Sequence, residues 1–570
     1  MRGWSRVRPE GPAMLPATIA TSVAPETIAK VGRLFNGSAH DVLSELLQNA
    51  RRAGATMIAI STSGHAGDRL LHIVDDGSGI EDPAAVVTLG RSGWSEETRV
   101  REDCAGMGLF SLAGQDVIIR SWSKPERQGW MAHIPAGAWE SSRPIAICAD
   151  PINRGTAITV RMPDAWSEKL AETVKSVAHQ YPLPVTFEGD AVERSDWLAD
   201  AARIEEWNGC RIGILHSDAA VDTSTTPRLN FHGITIACRI DSVSEVGRRK
   251  IWTARIDIID CPAIQLVLPA RKEVVQNAVL SDLRAAVRSA IFRTIADQPS
   301  HRLGFTAWSE ARALGIELPE AAPYLYSWIA PHADMFENYL SGVRVTDPSM
   351  VIMPEIDAVI AQPAELAIAR HSPFGGQLVA EEPDFAGYGW YDTLARVETI
   401  GFDVVQDGRN FAIDATTGAP ADADHGYVDS LELTATLSHA GAYVDVRCDA
   451  DVAFAADHDM SDRIDDVAIF VRHGAELVAS DVVDLARRAL FDPDNDSDAD
   501  SHDTQRGRFF RDATDRVVGI LEGNDAAIEV RVRALLASYP WLVPADRTVT
   551  ITMTRDGLNV AVTDRTSGDA

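Results

Sequence analysis

Apolar positions first recur at helical spacing near the start of the chain. The spacing predicts a helix over residues 24–35, which Asn36-Gly37-Ser38 interrupts. A second helix is predicted from there to Ala53. Val42, Leu43, Leu46, Leu47 and Ala50 share one face, Ser38 with Asp41 three residues on forms a variant of the capping box, and Gly54 is placed to end the helix. The period then drops to two, which predicts strands at 56–62, 69–74, 116–122, 130–135 and 156–162. A capped helix before a strand-rich stretch predicts an α+β fold with helices packed on an antiparallel sheet.

The segment YPLPVTFEGD (181–190) reads as a linker into a second strand-dominated region that a long helix over 281–297 closes. Residues 301–345 read as helical and 350–450 as mixed. The stretch 465–565 reads as a strand, helices and a final hairpin turning at Asp556-Gly557. The expected organisation is an arm at 1–25 and a first domain at 26–183, then a second domain at 184–300. An α+β region at 301–450 and an acidic α+β module at 451–570 complete it. Trp308, Trp328, Trp390 and Trp541 are expected to fill cores.

Composition narrows the class. The chain has 570 residues, 45% hydrophobic and 24% charged, the balance of a globular protein with ample core. No apolar run approaches the ~20 residues of a membrane span, and the first residues lack the pattern of a cleaved leader. Six cysteines in no tight pair exclude a zinc ribbon and a CxxC redox motif and argue against a disulfide framework. These features predict a cytoplasmic protein without a membrane. Of the formal net charge of −30, residues 301–570 carry −27. Such a surface repels phosphate backbones, so nucleic acid is an unlikely partner for that half; the near-neutral first half is not excluded.

The candidate chemistry gathers between residues 45 and 108. Glu45 and Asn49 lie four apart on one face of the capped helix. The turn VDDGSGI (74–80) ends an apolar strand, and its glycines let the backbone approach a flat ligand. CAGMGLFSL (104–112) carries a Gly-x-Gly expected to open a helix, an arrangement suited to phosphate. The polar segment LGRSGWSEETRVRED (89–103) between them has the composition of a flap. Any one of these alone would be an ordinary helix face, hairpin or loop. In this order they describe a nucleotide site with a metal ion and an attacking water.

Order and spacing resemble the GHKL ATPases, which include gyrase, the ninety-kilodalton heat-shock chaperones, histidine kinases and MutL-type proteins. ELLQNARRAGAT resembles their N box, VDDGSGI and AGMGLFS their two glycine motifs, and RGTAITVRM (154–162) the closing motif. The resemblance implies a Bergerat-type α/β sandwich followed by a transducer-like, ribosomal-S5-domain-2-like domain at 184–300, and it implies ATP and Mg2+ as ligands. By the same resemblance Glu45 activates the attacking water and Asn49 ligates magnesium. Asp75 accepts the adenine amine, with Gly77 and Gly79 at the ring and Thr156 in support. Gly106, Met107 and Gly108 present backbone amides to the phosphates, while Ser92 and Gly93 belong to the lid. LPARKEVVQN (268–277) offers Arg271 or Lys272 as the charge that senses the γ-phosphate, against the simpler reading of solvated surface. One position departs from the pattern: chaperone and MutL members usually carry aspartate three residues after the asparagine, where this chain has Arg52.

The resulting expectation is an Mg-dependent ATPase similar to the heat-shock chaperones, acting on a protein client or partner, with a homodimer left open. The alternatives are a MutL- or topoisomerase-like DNA-engaged clamp and a catalytically weak nucleotide sensor. A separate acidic segment, DPDNDSDADSHD (492–503), partly matches a calcium loop but lacks its glycine and its final glutamate, so a plain acidic loop is the expected reading.

Overall fold

The structure is a computed structural model. It describes residues 38–564 except 66–67, 89–90, 92, 97, 99–107, 140–143, 219–225, 248–249, 268–272, 338–341, 415–422, 424, 457–463 and 465–466. The helix expected over 24–35 and the arm therefore lie outside the described residues. So do Ser92, Gly106, Met107, Arg271 and Lys272. The chain divides into two compact units, residues 1–320 and 321–570.

In the first unit, helix α1 (Ala39–Arg52) begins where the sequence places it. The Ser38 hydroxyl accepts from the Asp41 N–H at 3.1 Å and donates to the Asp41 carboxylate at 2.8 Å. It ends in a left-handed Gly54, with Gly54 N–H donating to the Arg51 carbonyl and Ala55 N–H to the Ala50 carbonyl. These two bonds make a Schellman stop. Its apolar face, Val42, Leu43, Leu46, Leu47 and Ala50, is buried.

Eight strands form the sheet that this helix joins in one core. They are β1 (Ile58–Ser63), β2 (Leu70–Asp75), β3 (Val117–Ser123), β4 (Gln128–Ile134), β5 (Ile147–Asp150), β6 (Thr156–Arg161), β7 (Val185–Phe187) and β8 (Asp190–Ala191), in the order β5-β4-β3-β6-β2-β1-β7-β8. Pairing is antiparallel except between β1 and β7. Helix α2 (Leu170–Ala178) buries Leu170, Val174 and Val177 in the same core. The strand inside YPLPVTFEGD is thus hydrogen-bonded to the first sheet.

A second sheet contains β9 (Arg203–Trp207), β10 (Cys210–Ser217), β11 (Pro227–Phe231), β12 (Ile234–Ala237), β13 (Val243–Ser244) and β14 (Ile251–Ile258), ordered β12-β11-β14-β10-β9 with β13 on β14. Helix α3 (Ala278–Ala296), capped by Asn277, buries Leu280, Leu283, Val287 and Ile291. After it, the helical expectation for 301–345 fails. Among the described residues of that stretch one α-helix forms, α4 (Phe305–Ala313), which ends at Leu314-Gly315, and Pro319, Pro323 and Pro331 disfavour its continuation.

The second unit, described by itself, has a six-stranded mixed sheet built on strands 395–406 and 430–439, a three-stranded sheet and the helices Ala479–Leu490 and His502–Leu521. Its final hairpin, 547–564, places Val549, Ile551, Met553, Leu558, Val560 and Val562 on one face, and that face is largely exposed. Trp541, expected in a core, is 75% exposed. The acidic segment is stapled to the start of the 502–521 helix. Gln505 donates to the Asp494 and Asp500 carbonyls and accepts from Asp494 N–H. Among the described residues no group of three or more His, Cys, Asp or Glu is arranged for a metal ion.

Candidate functional site

The sheet brings the separated motifs to one end. β2 terminates at Asp75, whose register partners are Ile58 on β1 and Thr156, the first residue of β6. The chain then turns through Asp76-Gly77-Ser78-Gly79 and is pinned to the end of α1 by Ser78 N–H donating to the Ala53 carbonyl at 2.8 Å. The helix that carries Glu45 and Asn49 therefore abuts the turn that carries Asp75. Two glycines have no substitute. Gly79 has φ +82° and a Cβ there would lie 2.2 Å from the Trp122 carbonyl oxygen; Gly155 has φ +70° and a Cβ would lie 2.0 Å from the Asp75 carbonyl oxygen.

Asp75 is held by backbone. Gly77 N–H donates to its Oδ1 at 2.9 Å. Burial, joined by the neighbouring Asp76 charge, pushes its carboxyl up from 3.8 to about 6, against the lowering effect of the Gly77 and Thr156 N–H groups. Thr156 is buried, and its hydroxyl lies 2.8 Å from the Ser121 hydroxyl, which accepts from Ile80 N–H at 2.9 Å. Ser121 thereby ties the closing motif to the glycine turn.

Asp76 has the opposite environment. Its carboxylate accepts from Thr56 N–H (2.6 Å), Thr56 Oγ1 (2.6 Å), Met57 N–H (3.1 Å) and Arg154 Nη2 (3.0 Å), and Arg154 Nε donates to its carbonyl. The Thr56 bonds are the main cause that brings its carboxyl down to about 2. The doublet thus splits its work: Asp75 faces the sheet end and Asp76 braces the turn.

On α1, Glu45 is 7% exposed and Asn49 is half-buried. Arg52 Nη1 donates to Asn49 Oδ1 at 3.3 Å. Between them, fully buried Gln48 donates through Nε2 to the His232 carbonyl at 2.6 Å, while its Oε1 has no partner among the described residues. His232-Gly233 is the β11–β12 turn, with φ +54° and +100°. Beside it, buried Tyr181 donates its hydroxyl to the Leu47 carbonyl at 2.5 Å, and burial pushes that phenol upward. The second sheet is therefore hydrogen-bonded to the helix bearing Glu45 and Asn49, one residue before the asparagine.

Of the residues expected from sequence, the structure gathers Asp75, Gly77, Gly79 and Thr156 at the sheet end, with Glu45 and Asn49 on the abutting helix. Gly93 is exposed. Gly108 begins a short 3-10 helix, Gly108–Leu112, where the sequence led to the expectation that the Gly-x-Gly opens a helix. Asp76, Ser121, Arg154, Tyr181 and Gln48 were missed. The second Asp of DDG and the Arg before the closing Gly-Thr were the available signals.

No family model matches the chain. Over 126 residues it is 30% identical to proteins named DNA mismatch repair protein MutL from Brucella abortus, Brucella melitensis and Brucella suis. The match covers 21% of this chain and 19% of each relative, so the chain spans about a fifth of the length of those relatives. The ATPase region of Saccharomyces cerevisiae topoisomerase II aligns with 42% of this chain and 77% of that one, at TM-score 0.32 and 10% identity.

Proposed function

We propose that this chain carries an ATPase-type domain of the GHKL superfamily, and that its first unit binds and hydrolyses ATP and couples the cycle to movement of the second sheet. The observation that carries the proposal is the closed seam at the sheet end, where the turn bearing Asp75 is hydrogen-bonded to the end of the helix bearing Glu45 and Asn49.

In this reading Asp75 accepts from the exocyclic amine of adenine, and Thr156 with Ser121 holds its backbone in register. Glu45, a buried carboxylate on α1, is the residue placed to act as the general base toward a positioned water. Asn49 presents one half-buried carbonyl oxygen on the same face. That donor set fits magnesium, which commonly takes one or two protein oxygens and completes its shell with phosphate and water. Bound there, the ion would neutralise phosphate charge and orient the γ-phosphoryl group. Gly106, Met107 and Gly108 would offer amides to the phosphates, Ser92 and Gly93 would serve the lid, and Arg271 or Lys272 would sense the γ-phosphate. The Gln48–His232 bond supports the coupling, since a shift of α1 on nucleotide binding loads the β11–β12 turn directly.

Two readings of the output remain. Action on a protein client accords with the acidic second unit. The name of the relatives, DNA mismatch repair protein MutL, favours instead a DNA-engaged clamp, and the near-neutral first unit permits it, so the expectation that nucleic acid is an unlikely partner loses its support. Duplex DNA binding at ~150 mM salt, with ATP turnover measured alongside, separates them. DNA-stimulated turnover establishes the clamp. Absence of both binding and stimulation leaves the client reading.

A further inference from the structure

Beside β12, the edge strand of the second sheet, lies a cavity of about 540 Å³. That volume falls in the range of small-molecule sites, roughly 300–1,000 Å³. Three segments wall it. The end of β12 brings Ala237 and, just past it, Arg239; the short ladder of 265–267 against 273–275 brings Val267, Glu273 and Val274; α3 brings Arg284. The ladder is held by the Leu266–Val274 bridge, with Val267 N–H donating to the Glu273 carbonyl and Val275 N–H to the Gln265 carbonyl, both at 2.8 Å.

Apolar walls thus surround two guanidinium groups. Arg284 is half-buried and fixed in place: its Nε donates to the Arg239 carbonyl at 3.0 Å and its Nη2 to Gln276 Oε1 at 3.2 Å. Both acceptors are neutral, so neither offsets its charge. Arg239 and Glu273 are exposed, and among the described residues Arg239, Glu273 and Arg284 form no ion pair. The lining therefore carries two positive charges against one negative. A guanidinium oriented in advance loses little freedom when an oxyanion reaches it, and valine walls beside it suit an apolar body.

We propose that this cavity binds a small organic anion, a carboxylate or phosphate monoester on an apolar body, and that occupancy fastens the ladder at the base of segment 268–272. Val267 and Glu273 line the cavity and are also the last pair before that segment, which carries Arg271 and Lys272. A ligand packed against them acts on that base directly. The cavity shares no residue with the ATP-site reading and does not depend on it.

The test uses the full chain and three probes of one shape: 2-naphthoate, 2-naphthyl phosphate and the uncharged 2-naphthamide. Calorimetry gives each affinity, and hydrogen exchange follows the Val267 and Val275 N–H groups. At least one anion binds wild type about tenfold or more tightly than the amide, the size of a charge-assisted contact. The tighter of the two anions identifies the headgroup. At about ten times its Kd it slows exchange of both N–H groups by roughly tenfold. Arg284→Gln removes the fixed charge and with it the preference for anions. Arg239→Gln weakens the anion by about 3–10-fold and spares the amide, because the solvent-screened charge is worth less. Ala237→Phe narrows the cavity and weakens all three probes. The last two side chains are exposed, so these variants carry the test if Arg284→Gln fails to fold. Equal affinity for anions and amide, no binding of either anion, anion affinity unchanged in Arg239→Gln and Ala237→Phe, or unaltered exchange at Val267 and Val275 overturns the proposal and leaves both arginines as solvated surface.

Discussion

Asp76→Asn isolates the brace beneath the Asp75–Gly79 turn. The substitution keeps the shape of the side chain and removes its charge. Its carbonyl oxygen still accepts from the Thr56 and Met57 N–H groups, but the new amide nitrogen cannot accept from Thr56 Oγ1 or Arg154. Holding the carboxyl at about 2 in place of 3.8 is worth at most ~2.4 kcal/mol. The side chain is 30% exposed, and Arg154 opposite it is 63% exposed. Solvent screening reduces the figure to about 1 kcal/mol, and the lost hydroxyl bond keeps the total loss between about 1 and 2 kcal/mol. A local loss of that size raises the open population of the turn by roughly 5–30-fold. The assay is hydrogen exchange of the Ser78 N–H, which donates to the Ala53 carbonyl. The sign with pH follows from the lowered value: the contribution is complete above 3.8 and is lost as pH falls toward 2. Unchanged Ser78 protection at neutral pH in Asp76→Asn would refute the bracing role.

Three further outcomes are expected. In the proposed reading the ionised Asp75 accepts from the adenine amine, and burial pushes its carboxyl up to about 6, so calorimetric ATP affinity is level above pH 7 and falls as pH drops below 6; affinity that rises on acidification would contradict this. The same raised value means that the Asp75 charge opposes folding: protonation favours the native state as pH falls from about 6 to 3.8, and Asp75→Asn removes that pH dependence while abolishing ATP binding. Gln48→Leu removes the bond to His232 together with an orphaned buried oxygen, so global stability changes by less than about 1 kcal/mol, whereas hydrogen exchange in the β11–β12 turn becomes insensitive to ATP; an ATP response equal to wild type would show that the coupling runs elsewhere.

Helix α1 was readable almost to the residue because its start and stop are local chemistry: a serine cap, an apolar stripe and a left-handed glycine. β1 to β4 and β6 were readable for a similar reason, since one face of each is buried and the period of two survives; β5 was not, because its residues are nearly all exposed and carry no such pattern. The placement of Val185–Phe187 was not. A three-residue run, Val-Thr-Phe, pairs equally well with either sheet, and only the long-range register with Ile58–Ile60 decides. The stretch after α3 was misread as helical although its prolines carried the correction. At the site, Asp75 and its glycines were readable as a motif. The division of labour between Asp75 and Asp76 was not, because it depends on which carboxyl Thr56 and Arg154 reach across the fold. Gln48 looked like one more polar residue on α1, and only the His232-Gly233 turn, 184 positions away, makes it a link.

The central claim is tested most directly by ATP turnover in wild type and Glu45→Ala, with ATP affinity measured on the same preparations. The account predicts slow, magnesium-supported hydrolysis by wild type and loss of about 10²–10⁴-fold in Glu45→Ala, the range general-base catalysis contributes, with binding retained. Equal turnover in the two proteins would contradict it.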